Sequence, residues 1–136
     1  HETCRRQRQM CIRDSSISTD LALLKTELEL RPITIETEKP KIGSSACLIS
    51  NSFGLNIGIT CGVISATGLS NIGFNDIEDF LQTDAAANPG SSGGALVNLN
   101  GELLGMMSGI FTKNTDTNAG VNFAISSGLI SKFLAN

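Results

Sequence analysis

The chain has 136 residues, 40% of them hydrophobic and 17% charged, which is the composition of a soluble single domain. No apolar run approaches the length needed to cross a membrane, and nothing resembles a signal peptide. Residues 1–13 hold Arg5, Arg6, Arg8 and Arg13 against Glu2, whereas the remainder carries six basic and twelve acidic residues, an acidic balance that gives no electrostatic reason to expect nucleic acid.

Residues 1–13 show no apolar period, cap or turn logic, and are assigned to a tail outside the fold that resembles translated sequencing-adapter sequence. His1, Cys4 and Cys11 match no usual zinc spacing, so neither a metal nor any other cofactor is expected. From Asp14 onward the chain reads as one folded unit, 14–136. Ser18 to Lys25 looks like a turn feeding a short buried strand headed by Asp20. Residues 26–41 are rich in charge and punctuated by Pro32 and Pro40, as an exposed edge and loop would be. Ser44–Ser50 reads as a strand, 51–56 as a turn and Gly58–Ala66 as the returning strand.

Cys47 and Cys61 stand at equal offsets from Gly54, which allows a disulfide if the register agrees; two buried thiols acting as small hydrophobes are the preferred reading, since turn length and any bulge are open. Residues 67–80 are rich in glycine and asparagine and read as a mobile loop. In 82–96, Pro89 and Gly90 allow a sharp turn just before Ser91 and Ser92. Gly93 and Gly94 keep bulk away from the bend, and Ala95–Val97 resumes an apolar run. A serine presented on such a bend can meet a carbonyl group, with amides of the Gly90–Ser92 turn converging as an oxyanion hole.

Leu103–Phe111 is almost wholly apolar and suits a buried strand, in which Met106 and Met107 fill core or pocket wall. A polar loop, 113–118, leads to a strand over 120–125. Ser126 and Ser127 can cap a final helix whose Leu129, Ile130, Phe133 and Leu134 share a face. Strands, glycine turns and one terminal helix fit an all-β Greek-key barrel.

Three strings carry a resemblance to a known family: Thr19-Asp20-Leu21-Ala22-Leu23-Leu24, the run from Gln82 through Asn88-Pro89-Gly90 and Ser92-Gly93-Gly94 to Gly105, and Gly120-Val121-Asn122-Phe123-Ala124-Ile125. They are similar to segments of the HtrA/Deg family of chymotrypsin-fold serine proteases, and the resemblance covers Asp14 to Asn136. It implies the second barrel of a two-barrel protease domain plus the end of the first. It also implies Ser92 as nucleophile, Asp20 as the triad carboxylate, and Gly90, Ser91 and Ser92 as the oxyanion turn. Asp20 and Ser92 should then face one another across an imidazole-sized gap filled by no side chain of this chain. The histidine is not supplied by the family string in this sequence, where His1 is the sole histidine.

Where trypsins place a carboxylate, six residues before the serine, stands Ala86. Ala86 and Ala87 with Met107, Ser108 and Gly109 should therefore line an uncharged pocket for small or medium aliphatic residues. Four positions depart from the family pattern: Thr19 replaces a serine, Ser52 stands where proline is usual, Ser126 replaces a proline, and Asn122 replaces a glycine. The Ser52 change is read as concerning a turn and not the chemistry. Implied by resemblance are unfolded polypeptide substrates, a periplasmic or cell-envelope location and homo-oligomerisation of the full-length protein. A protease-like barrel that captures extended peptides without cleaving them is the alternative.

Overall fold

The computed structural model describes residues 10–110 and 119–136. It begins with a two-stranded hairpin, β1 (Met10–Ser16) and β2 (Leu21–Thr26), joined by the turn that carries Asp20. The tail assigned to residues 1–13 therefore ends too late. Met10, Cys11 and Ile12 pair with Thr26, Lys25 and Leu24, and the register shifts between Ile12 and Asp14. Strand pairing needs only backbone N–H and C=O groups, so a segment with no apolar period can still form a ladder. The side chains from Ile12 to Ser15 are all exposed, which is why no pattern marked them. Residues 1–9, with His1 and Cys4, lie outside the described residues.

The body is a closed antiparallel barrel of β3 (Ser45–Ser50), β4 (Gly58–Leu69), β5 (Phe80–Thr83), β6 (Ala95–Val97), β7 (Leu103–Ile110) and β8 (Asn122–Ser126). Around the barrel the order is β3-β4-β5-β8-β7-β6. Closure removes the unpaired edges that an open sheet would expose. Leu48, Ile64, Leu81, Leu96, Leu104 and Met107 fill its interior. The sequence reading assigned no strand to Phe80–Thr83, yet β5 pairs with both β4 and β8, and three of its four residues are buried. Four residues is too short a run to declare a period.

A second cluster holds Leu21, Phe80, Phe123, Ile125 and Ile130 where the hairpin and the helix α1 (Ser127–Ala135) pack on the barrel. Leu21 is the one fully buried residue of β2, and Leu24 is 48% exposed, so β2 is an edge strand rather than a buried one. Ser126 caps α1: its hydroxyl accepts from the Leu129 N–H at 3.1 Å and donates to the Asp79 carboxylate at 2.5 Å. Ile130 faces the cluster with Leu129 and Phe133 beside it, while Leu134 is half exposed and falls off the expected face. Residues 26–41 run as loop, held where Ile35 bridges Leu103. The expected polar loop 113–118 lies outside the described residues.

Cys47 sits directly opposite Cys61 in the β3–β4 register, and the two are joined as a disulfide. The preferred reading of two buried thiols is thus overturned. Cys61 is exposed and Cys47 half-buried, because both fall on the outward face of the strand pair, away from the core occupied by Ala46 and Leu48.

Candidate active site

The turn before β6 is built by local hydrogen bonds. The Ser91 N–H donates to the Asn88 carbonyl at 2.9 Å, and the Gly94 N–H to the Ser91 carbonyl at 2.9 Å. Gly93 N–H to Met107 C=O, at 2.7 Å, and Met107 N–H to Gly94 C=O, at 2.8 Å, dock the turn on β7. Gly90 has φ +94°, and a Cβ there would lie 2.6 Å from the Asn51 carbonyl oxygen, so both backbone conformation and close approach demand glycine. Ser92 is left exposed on this turn, its hydroxyl donating to the Ser108 carbonyl at 3.3 Å.

The amides of Gly90 and Ser92 find no acceptor among the described residues, whereas that of Ser91 is spent inside the turn. Ser91 is also only 1% exposed, its side chain facing inward. Of the three residues expected to form an oxyanion hole, Ser91 is therefore removed as an amide donor.

Asp20 closes the β1–β2 turn, where the Thr19 and Asp20 amides donate to the Ser16 and Ile17 carbonyls, both at 3.4 Å. Its φ of +59° is a left-handed conformation that aspartate tolerates better than most residues. From the barrel side, the Ile77 N–H donates to the Ser18 carbonyl at 2.9 Å and braces this turn. The Asp20 carboxylate accepts the Ser108 hydroxyl at 2.9 Å. Ser108 thus touches Asp20 through its side chain and Ser92 through its carbonyl, bringing the two onto one edge of the barrel. Ser108, expected in a pocket wall, is therefore also the link between the two, through its hydroxyl on one side and its main chain on the other.

The other pocket residues divide. Ala87 and Met107, each 2% exposed or less, belong to the barrel core, because the inward positions of a closed barrel are filled by side chains. Ala87 is thus corrected from pocket wall to core, and Met107 takes the core of its two expected places. Ala86, Ser108 and Gly109 are partly exposed, with the Ala86 carbonyl held by the Thr60 hydroxyl at 2.7 Å. Phe74 comes over Gly109, where a Cβ would meet its ring at 3.5 Å, and packs edge-on against Phe80 and Phe123.

Phe74 belongs to the loop 67–80, which is internally bonded instead of loose. One Glu78 carboxylate accepts the amides of Ile72, Gly73, Phe74 and Asn75 at 2.6 to 3.0 Å. Those donors, the Asn75 amide foremost, hold its carboxyl below the usual value. The sequence reading missed this, and also two supports near the serine turn. Asn122, fully buried, donates to the Ala85 carbonyl at 2.9 Å and the Thr83 carbonyl at 3.3 Å, bracing the entry to the turn. Ser50 and Ser52 both reach the Ser91 hydroxyl, at 3.1 and 2.9 Å. The replacement of a glycine by Asn122 and of a proline by Ser52 were the signals available, and a buried polar residue needs partners.

The chain matches the family model described as trypsin-like peptidase domain over residues 3–106, a match that starts inside the segment assigned to a tail. The probable periplasmic serine endoprotease DegP-like of Chlamydia trachomatis serovar D is 43% identical over 111 residues, covering 80% of this chain and 22% of that protein. The periplasmic pH-dependent serine endoprotease DegQ of Escherichia coli K12 is 40% identical over 118 residues, covering 85% and 26%. Among solved structures, the HtrA-type protease AlgW with decapeptide superposes with a TM-score of 0.88 at 41% identity, over 93% of this chain and 39% of that one. The serine endoprotease from Yersinia pestis gives 0.77 at 40% identity, over 93% and 43%. The chain thus spans about a quarter of the length of these curated relatives.

Proposed function

We propose that this chain, which belongs to the trypsin-like peptidase domain family and is HtrA/Deg-like within it, is part of a serine endopeptidase that cleaves unfolded polypeptides in the periplasm or cell envelope. The observation that carries the reading is the meeting of Ser92 and Asp20 at Ser108, beside two amides with no acceptor among the described residues. In this reading Ser92 Oγ attacks the scissile carbonyl, and the Gly90 and Ser92 amides hold the tetrahedral oxyanion. The leaving amine is then expelled and water regenerates the hydroxyl. Asp20 orients and stabilises an imidazole that takes the Ser92 proton and returns it to the leaving group. Ala86, with Ser108 and Gly109, forms an uncharged entrance suited to small aliphatic side chains.

The sole histidine of the sequence, His1, is in a segment with no part in this scheme, so the 136 residues by themselves should be inactive. Loss of one triad member in a serine protease costs on the order of 10⁶ in kcat. Fluorophosphonate labelling tests the reading. Ser92 should label at background rate in the chain alone and rapidly once the chain is co-folded with an upstream half-domain that carries the histidine. Absence of labelling in the reconstituted form would exclude Ser92 as nucleophile and favour peptide capture, whereas labelling that survives Ser92→Ala would put the nucleophile on another residue.

A further inference from the structure

The Ser91 side chain is buried at 1% exposure, and its hydroxyl meets three groups: the Asn88 N–H at 3.1 Å, Ser50 Oγ at 3.1 Å and Ser52 Oγ at 2.9 Å. A serine hydroxyl has one proton and two lone pairs. One lone pair is used by the Asn88 N–H, so the proton and the other lone pair serve the two remaining hydroxyls, one donating to Ser91 and the other accepting from it. The hub is then saturated. It ties the end of β3 and the turn after it to the bend beneath Ser92. Main-chain contacts follow the same seam: the Phe53 N–H donates to the Pro89 carbonyl at 2.7 Å, and Gly90 is pressed close to the Asn51 carbonyl.

We propose that Ser50, Ser52 and Ser91 form a three-hydroxyl latch that sets the Asn88–Ser92 turn, making Ser50 and Ser52 positioning residues for the amides of Gly90 and Ser92. The proposal rests on the reading of those amides as oxyanion donors. It also changes the meaning of Ser52, which stands where the resembling family has proline: a proline has no hydroxyl to offer Ser91. The latch acts on geometry, since donors must be aimed at the place where the oxyanion will be, and removal of one hydroxyl lets the bend relax toward other hydrogen bonds.

Amide NMR of the 136-residue chain tests this without requiring Ser92 to react. The Ser50→Ala/Ser52→Ala pair changes two half-buried side chains, and Ser91→Ala removes the hub. Both variants should shift the Gly90 and Ser92 amide resonances while those of Leu48 and Leu96 in the core stay in place. Ser91→Ala should also speed exchange of the Asn88 amide about fivefold, the worth of one ordinary hydrogen bond. Ser52→Thr, which keeps the hydroxyl, should restore the Gly90 and Ser92 positions that Ser52→Ala moves. Unmoved Gly90 and Ser92 resonances in the double variant overturn the latch, and so does a shift that Ser52→Thr fails to restore. Should Ser91→Ala not fold, the double variant carries the test alone. Should the fluorophosphonate experiment fail while the resonances move, the latch stands and the nucleophile assignment falls.

Discussion

Ser92 stands on a turn fastened to β3, to the bend after β3 and to β7, whereas Asp20 stands on a short turn fastened to the barrel through Ser108 and the Ile77 amide. The serine side is made of glycines with positive φ and a buried hydroxyl, all within one closed barrel. The aspartate side projects from a two-stranded hairpin whose β1 buries none of its described side chains fully. An isolated pair of strands is marginal in water, so the hairpin depends on what it docks against. The two halves of the site therefore differ in where their order comes from. One is intrinsic to the barrel, and the other is lent by neighbouring segments.

The sharpest way to break this contrast is by truncating a leucine on each side. Leu48, with no exposed surface, should cost about 3 kcal/mol on change to alanine, while Leu24→Ala in the hairpin should stay within about 0.5 kcal/mol, both read from urea unfolding. Equal losses would mean that hairpin and barrel unfold as one body of uniform strength. Next in size is the disulfide. Replacing Cys47 and Cys61 by serine opens a closure of 14 residues and should lower stability by about 2 to 3 kcal/mol, with no effect of reductant on the variant.

Gly90→Ala should follow at about 2 kcal/mol, since a side chain there is strained in φ and meets the Asn51 carbonyl. Its mark should be concentrated in the amides of the serine turn, with the Asp20 turn unaffected. The smallest effect is local and depends on pH. Glu78 has its folded pKa lowered, so the stabilisation it gives the loop is complete above its ordinary value of 4.5 and is lost as pH falls through the lower folded value. Hydrogen exchange at the Ile72–Asn75 amides should accelerate relative to the barrel in that acid range, and the Ile77 amide that holds Ser18 should follow. Glu78→Gln should remove the pH step and leave those amides fast at neutral pH.

The same contrast governs how much of the molecule could be read in advance. The serine turn was legible because Pro89, Gly90, Gly93 and Gly94 restrict the backbone residue by residue, a constraint that needs no distant partner. Asp20 was legible through its family string, but its contact with Ser108 joins residues 88 positions apart and nothing local encodes it. Glycines and asparagines make the loop 67–80 read as mobile, and the one residue that organises it, Glu78, is an ordinary surface type whose four amide donors are a product of loop shape. Counting from Gly54 allows Cys47 and Cys61 to stand opposite one another, and the β3–β4 register has them so. Preferring two buried thiols rested on a turn length and bulge that the sequence leaves open, whereas strand alternation gives the inward positions to Ala46 and Leu48 and leaves both cysteines outside.

The disulfide has a further consequence for the durability of the site. Its ring encloses Asn51, Ser52 and Phe53, the segment on which the serine turn rests, and also an accessible tip of the barrel, with Leu55 84% exposed. Such tips are where a foreign protease would cut first. A single cut anywhere between Cys47 and Cys61 leaves both ends of the break tethered by sulfur, so the nicked molecule keeps its mass until it meets a reductant. In an oxidising compartment, such damage leaves the fragments joined and the support beneath the serine turn still anchored at both strands.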